Sequence, residues 1–213
     1  MNLLLIRHGQ MQGDPFVCPE RPVEGCLSTS GIAQAQRARE ALAGTPIDLA
    51  FSSPYGRALQ TAEIVLAGRE TSLTVLEFLK EWQPNRTLEE LPPQDYERIV
   101  TLQDDLYVEE TWQTELGEGC FEIYARVCPA FMQVLGHHGI HQRLGGFVLD
   151  PGARELTIAV FAHGGSLGVL LSFILGLPPF PLSRFCFELT GMARVTFIER
   201  KGIFHPQLVL PAA

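Results

Sequence analysis

Short continuous apolar runs alternate along the chain with stretches whose apolar residues recur every three or four positions, the pattern of an α/β fold. Asn2 to Ile6 reads as a first strand that stops at Arg7-His8-Gly9, where a polar loop begins that lasts to about Thr29. Gly31 to Leu42 reads as a helix and Ile47 to Phe51 as a second strand. That strand runs into Ser52-Ser53-Pro54, where Ser53 can cap and Pro54 can fill the first position of a helix reaching about Ala67. Leu73 to Leu76 makes a third strand, Glu118 to Gly136 a helix, Leu156 to Ala162 the central strand, and Gly165 to Leu175 a helix ended by Gly176 and the prolines beyond it. Phe185 to Leu189 and Ala193 to Glu199, separated by Thr190-Gly191, predict a terminal pair of strands. The expected architecture is a three-layer sandwich, a mostly parallel central sheet of five or six strands with helices on both faces.

Composition narrows the partners. The 213 residues carry 16 Lys plus Arg against 24 Asp plus Glu, a formal charge of −8, and 46% of them are hydrophobic. A globular domain is expected over 1–213, with no Ser/Gly/Pro-rich linker to divide it. An acidic chain without a Lys/Arg run argues against nucleic acid and against an anionic membrane surface. The partner expected is therefore a small molecule. The longest stretch without Asp, Glu, Lys or Arg, Leu156 to Ser183, is broken by His163, a Gly pair and three prolines, so it does not read as a membrane span. The apolar start reaches Arg7-His8 too early for a signal peptide, and a cytoplasmic protein is expected. Cys18, Cys26, Cys120, Cys128 and Cys186 form no C-x-x-C pair and read as free thiols. His137, His138 and His141 have a ligand-like spacing but no nearby carboxylate or Cys in sequence; no metal and no cofactor is expected.

Three polar groups fall just past the carboxyl ends of strands: Arg7-His8-Gly9, Ser52-Ser53-Pro54 leading to Arg57, and His163-Gly164-Gly165. That edge of such a sheet is where ligands bind. Together they would supply two arginines, two histidines and the positive ends of two helices, a set suited to an anion and above all to a phosphoryl group. Arginine fits because its planar fork donates in pairs to phosphate oxygens and stays charged.

These segments, in this order, resemble the histidine phosphatase superfamily, the phosphoglycerate-mutase-like fold, over most of the chain. The resemblance is carried by Leu4-Leu5-Ile6-Arg7-His8-Gly9-Gln10, by Leu27-Ser28 with Gly31, Gln34 and Ala35, and by Ser52-Ser53-Pro54 with Arg57-Ala58 and Gln60-Thr61-Ala62. It continues through Leu79-Lys80-Glu81 and Leu88-Glu89-Glu90-Leu91, then Gly117-Glu118 with Arg126-Val127, and ends at Val160-Phe161-Ala162-His163-Gly164-Gly165. It implies a phosphatase of the histidine acid phosphatase type working without metal on a small phosphomonoester. In that reading His8 is the nucleophile, and Arg7, Arg57, His163 and Gly164 hold the phosphoryl group. Glu81 is the first candidate for general acid and Glu77 the second, with Glu118 next. Met11 and Asp14 depart from the family's usual Thr or Ser and Asn, and Gly119 replaces a usual Ser, so the match is weakest where the substrate body would lie.

Two alternatives stay open. A phosphoglycerate-type mutase would use the same residues and a second acceptor in place of water. Residues 83–116, a probable lid insertion, hold nine acids against Arg86 and Arg98, a sign that disfavours a multiply charged substrate. Gly164-Gly165-Ser166-Leu167-Gly168 also satisfies the G-x-S-x-G pattern of a serine esterase with Ser166 as nucleophile. Only Glu188 or Glu199 and His205 follow to complete a triad, and Arg7, His8, Arg57 and Glu81 would be left without a role.

Overall fold

Leucine on both faces of one strand requires cover on both faces of the sheet, and the first strand shows that cover directly. A computed structural model describes residues 1–12, 26–83, 113–114, 117–143, 145–179 and 184–209. In β1 (Asn2–Arg7) Leu3 and Leu5 point into one core, while Leu4 and Ile6 point into the other. The first core is closed by α3 (Cys120–His137), through Ile123, Val127 and Phe131, and by α4 (Gly164–Ile174), through Leu167, Leu170 and Leu171. The second is closed by α1 (Thr29–Ala41) and α2 (Gly56–Leu66), through Ala38, Ala62 and Val65. Each fully buried Leu or Ile in these layers contributes about 2 kcal/mol relative to exposure. The expected three-layer sandwich is thus present.

The sheet itself is larger and more mixed than expected, with eight strands rather than five or six. The additional strands are β2 (Leu49–Ser52), β3 (Leu73–Val75), β6 (Ile140–Arg143), β7 (Gly146–Leu149), β8 (Thr157–Ala162), β9 (Met192–Arg200) and β10 (Ile203–Val209). Their order is β3-β2-β8-β1-β9-β10-β7-β6. The first four run parallel, and every pairing from β1–β9 outward is antiparallel. A separate ribbon pairs β4 (Gln113–Thr114) with β5 (Gly117–Glu118).

Three local expectations are corrected. Phe185 to Leu189 is no strand; it is irregular, and its Phe187 carbonyl accepts from the Arg7 guanidinium instead of from a ladder partner. The terminal hairpin is β9–β10, and its turn is Lys201-Gly202, not Thr190-Gly191. Both turn residues have positive φ, 54° and 82°, the twist a two-residue hairpin demands. Helix α2 begins at Gly56, two residues past Pro54, because the Ser53 hydroxyl accepts the Tyr55 N–H (3.3 Å) and Tyr55 stays extended. The N-cap of α1 is Ser28, whose Oγ accepts the Gly31 N–H at 3.0 Å.

Cys26, Cys120, Cys128 and Cys186 form no disulfide among the described residues. No helix there is long and apolar enough to cross a membrane. Cys18, Asp14, the loop residues 13–25 and the expected insertion beyond Gln83 to 112 lie outside the described residues.

Candidate active site

The parallel register brings the three polar groups to one edge. Arg7 of β1 pairs with Ala162 of β8, Phe161 with Ser52 of β2, and Ser52 with Val75 of β3. The ladder carries one residue further: His8 donates its backbone N–H to Ala162 (3.0 Å), Ser53 to Phe161 (2.9 Å) and Leu76 to Ser52 (2.8 Å). His8, Ser53 and His163 therefore leave their strands side by side. The chain after Leu76 folds through a 3-10 turn, Glu77–Leu79, and delivers Glu81 to the same edge.

At the centre stand two imidazoles, His8 (6% exposed) and His163 (fully buried), with ring centroids 5.1 Å apart. His8 Nδ1 lies 2.7 Å from the Gly9 carbonyl, which can only accept, so Nδ1 carries the proton and Nε2 the lone pair. The Arg57 Nε–H is shared between His8 Nε2 and His163 Nδ1, both at 3.2 Å. With Nδ1 accepting, His163 donates through Nε2 to Ser53 Oγ at 2.8 Å. Both rings are thus neutral, each in one tautomer. Burial first, then the charge of Arg57, lowers His8 to about 3 against an opposing bond from the Gly9 carbonyl, with Arg7 adding to the fall. The same causes, burial ahead of Arg57, hold His163 well below the ordinary histidine value.

Arg57 (8% exposed) is held from behind: its Cζ lies 4.8 Å above the Tyr55 ring, and Tyr55 meets His163 edge-on at 5.2 Å. Thr61, one turn along α2, donates to the Arg57 carbonyl (2.7 Å) and accepts the Gly9 N–H (3.0 Å), tying the helix to the loop after β1. Arg7 donates Nη1 to the Phe187 carbonyl at 2.6 Å. Its Nε is buried with no hydrogen-bond partner among the described residues. A Cβ on Gly164 would sit 3.8 Å from the Arg7 Cζ, so Gly164 borders that guanidinium.

Glu81 reaches the start of α4, one residue beyond His163. Its Oε2 accepts the Gly165 N–H (3.1 Å), and its Oε1 accepts those of Ser166 (3.1 Å) and Trp82 (2.9 Å). A Cβ on Gly165 would come within 2.6 Å of Oε1, so any side chain here would displace the Glu81 carboxylate. Glu77 is turned away, 72% exposed and 3.2 Å from Lys80 Nζ. Glu118 is committed to Arg126, at 2.6 Å from its Nη2.

Ser166 is fully buried, and its hydroxyl accepts the His163 backbone N–H at 3.3 Å, so the esterase pattern is spent on capping α4. Glu199 of that triad lies 3.8 Å from Arg154 instead. His141 finds the carboxylate that its sequence neighbourhood lacks, Asp150 at 4.0 Å across the β6–β7 hairpin, and His138 packs on Phe51. Sequence reasoning missed Ser53 as the partner of His163, the Tyr55 shelf under Arg57, and Arg126. An arginine in the middle of the helix that closes one core, eight residues after Glu118, was the available signal for the last.

The profile of the histidine phosphatase superfamily (branch 1) matches residues 3–206, and the chain belongs to that superfamily. It is accordingly a phosphoryl-transfer enzyme, a phosphatase or a mutase, in a family where transfer proceeds through a phosphohistidine. Among particular relatives, the chain is 25% identical to the adenosylcobalamin/α-ribazole phosphatase of Salmonella typhi, covering 97% of this chain and all of that one. It is 28% identical to the probable phosphoglycerate mutase GpmB of Salmonella arizonae, over 95% of this chain and 88% of that one. The fold is similar to the crystal structure of a putative α-ribazole-5'-P phosphatase from Escherichia coli, with a TM-score of 0.70 at 24% identity over 98% and 96% of the two chains.

Proposed function

We propose that this protein is a metal-independent phosphomonoester hydrolase that works through a phosphohistidine on His8. The observation that carries the reading is the fixed tautomer of His8: the Gly9 carbonyl takes the proton on Nδ1 and leaves the Nε2 lone pair beside Arg57 and His163. His8 Nε2 attacks phosphorus in line as the bond to the ester oxygen breaks. Arg7, Arg57 and the Gly164 edge of α4 take the charge on the equatorial oxygens, and the unpartnered Nε of Arg7 is a donor ready for one of them. His163, kept neutral, orients Arg57 and faces the same oxygens. These charges do the work a metal does elsewhere. Glu81 protonates the leaving oxygen and then takes a proton from the water that hydrolyses the phosphohistidine. Its Oε2, with Gly165 as its one partner among the described residues, is the oxygen with room for that proton.

Two features favour a monophosphate on an uncharged or cationic body over a bisphosphate. The chain has a net charge of −8, most of it between residues 83 and 116, and its relatives include phosphatases named for α-ribazole. The mutase reading is kept because GpmB relatives match equally well. The test is to incubate the protein with a phosphorus-labelled aryl phosphate, quench, and map the label, with and without EDTA. Label on His8 that passes to water, with no effect of EDTA, supports the reading. Passage to 3-phosphoglycerate selects the mutase, and absence of a labelled histidine or loss of activity in EDTA overturns the proposal.

A further inference from the structure

The residues that carry Glu81 belong to no strand or helix beyond the short 3-10 turn, Glu77–Leu79, and their backbone must be held by something else. Arg126 of α3 does this, with three of its five N–H groups on carbonyls of the segment and the other two on Glu118. Nε and Nη2 form a bidentate pair with Glu118 Oε1 (2.7 Å) and Oε2 (2.6 Å). Nη1 donates to the carbonyls of Phe78 (2.8 Å) and Lys80 (3.1 Å), and the second hydrogen of Nη2 to the carbonyl of Glu81 itself (3.2 Å). Glu118 grips the other side of the same segment. Its Oε2 accepts the Gln83 N–H (3.0 Å), its carbonyl accepts Trp82 Nε1–H (2.6 Å), and its own N–H donates to the Gln83 carbonyl (3.1 Å). One ion pair, with side chains only 20% and 10% exposed, therefore fixes the main chain from Phe78 to Gln83 on both sides of Glu81.

We infer that Arg126, braced by Glu118, is the positioning residue that aims Glu81 at the leaving oxygen. The inference rests on Glu81 being the general acid and adds what makes that residue effective. An acid on an unbraced turn would find the leaving oxygen only part of the time. An ångström of misplacement is enough to lose most of the effect. Arg126 donates to Glu118 and to the Phe78, Lys80 and Glu81 carbonyls and makes no hydrogen bond to His8, His163 or Arg57 among the described residues, so its loss should leave the nucleophile side largely working.

The experiment compares kcat/KM for a primary alkyl phosphate with that for p-nitrophenyl phosphate, whose leaving group departs without a proton. It is run on the wild type, Glu81→Gln, Glu77→Gln, Arg126→Met, Glu118→Gln and the Glu81→Gln/Arg126→Met double variant. Glu81→Gln is expected to cost about 10² to 10⁴ on the alkyl ester and little on the aryl ester, with Glu77→Gln affecting both slightly. Arg126→Met should repeat the Glu81→Gln split at about 10² and add less than about threefold in the double variant, because both changes remove one function. Glu118→Gln should show the same split at smaller size, and it decides the matter if Arg126→Met does not fold. Equal losses on both esters, or full additivity in the double variant, reduce Arg126 to a structural role and overturn the inference while Glu81 keeps its own. A Glu81→Gln variant with no split removes the acid assignment, and the positioning role falls with it.

Discussion

The two sides of the site are held by different means. On the nucleophile side, His8, Ser53 and His163 stand one residue past parallel strands whose ladder already sets their backbones, and a single shared Arg57 N–H joins the rings. On the side proposed for the acid, Glu81 rides on a turn without a ladder, held by three donors of Arg126 and by Glu118, which takes the other two. The contrast teaches that a side chain at the end of a buried strand comes nearly preset, whereas one on a connecting segment needs dedicated charged partners. Substitutions should divide the same way, with nucleophile-side changes striking every substrate and acid-side changes only those with poor leaving groups.

The sharpest break is His8→Ala, expected to lower turnover of aryl and alkyl phosphates alike by more than about 10⁴-fold, read as kcat/KM and as loss of the alkali-stable, acid-labile label of a phosphohistidine. Activity above a few per cent would take His8 out of the role. Next comes Arg57→Ala, expected to cost about 10² to 10³ on both esters and to weaken vanadate inhibition in parallel; unchanged inhibition constants would remove Arg57 from the phosphoryl pocket. Smaller still is Gly165→Ala, whose methyl would press on Glu81 Oε1. Between about ten- and a hundredfold should be lost on the alkyl ester, with p-nitrophenyl phosphate nearly spared. If both esters fall together, the two sides are not separable.

The smallest effect is on stability. In the folded protein His8 titrates near 3, because of burial and then Arg57, whereas in the unfolded chain it takes a proton near its ordinary 6.5. Below pH 6.5 the unfolded state therefore binds the extra proton, so stability is complete above that pH and falls as pH drops towards 3. From His8 alone the loss between pH 6.5 and 5 is about 2 kcal/mol. His8→Gln should narrow the difference in Tm between pH 8 and pH 5 by a few degrees. An unchanged difference would mean that the ring is charged in the native site.

Much of this organisation is legible in the residues. Runs such as Asn2 to Ile6 and Leu156 to Ala162 are apolar on both faces and end abruptly at Arg7-His8 and His163, so strand and site residue are marked by the same boundary. The antiparallel half was harder to read for physical reasons. The strand Ile140–Arg143 has only Ile140 buried and three exposed polar residues, and Ile203–Val209 contains Pro206, which discourages a strand reading yet is tolerated where few ladder bonds are needed. Thr190-Gly191 looks like a hairpin turn, but Thr190 instead donates its N–H back to the His8 carbonyl at 3.2 Å. The roles of Ser53 and Arg126 were harder to read because His163 and the Phe78–Glu81 carbonyls that they hold lie more than forty residues away.

The Arg57 Nε–H divided between two ring nitrogens at 3.2 Å each has an effect on the reaction profile as a whole. In the resting protein that donor is parked on lone pairs at lengths that make poor, cheaply broken bonds. In the proposed reaction His8 Nε2 bonds to phosphorus and its lone pair is consumed, while a charged phosphoryl oxygen arrives as a better acceptor. The reverse exchange occurs on hydrolysis. In that scheme the Arg57 Nε–H keeps an acceptor in the free and in the phosphorylated protein alike, so no buried donor is stranded at either stage.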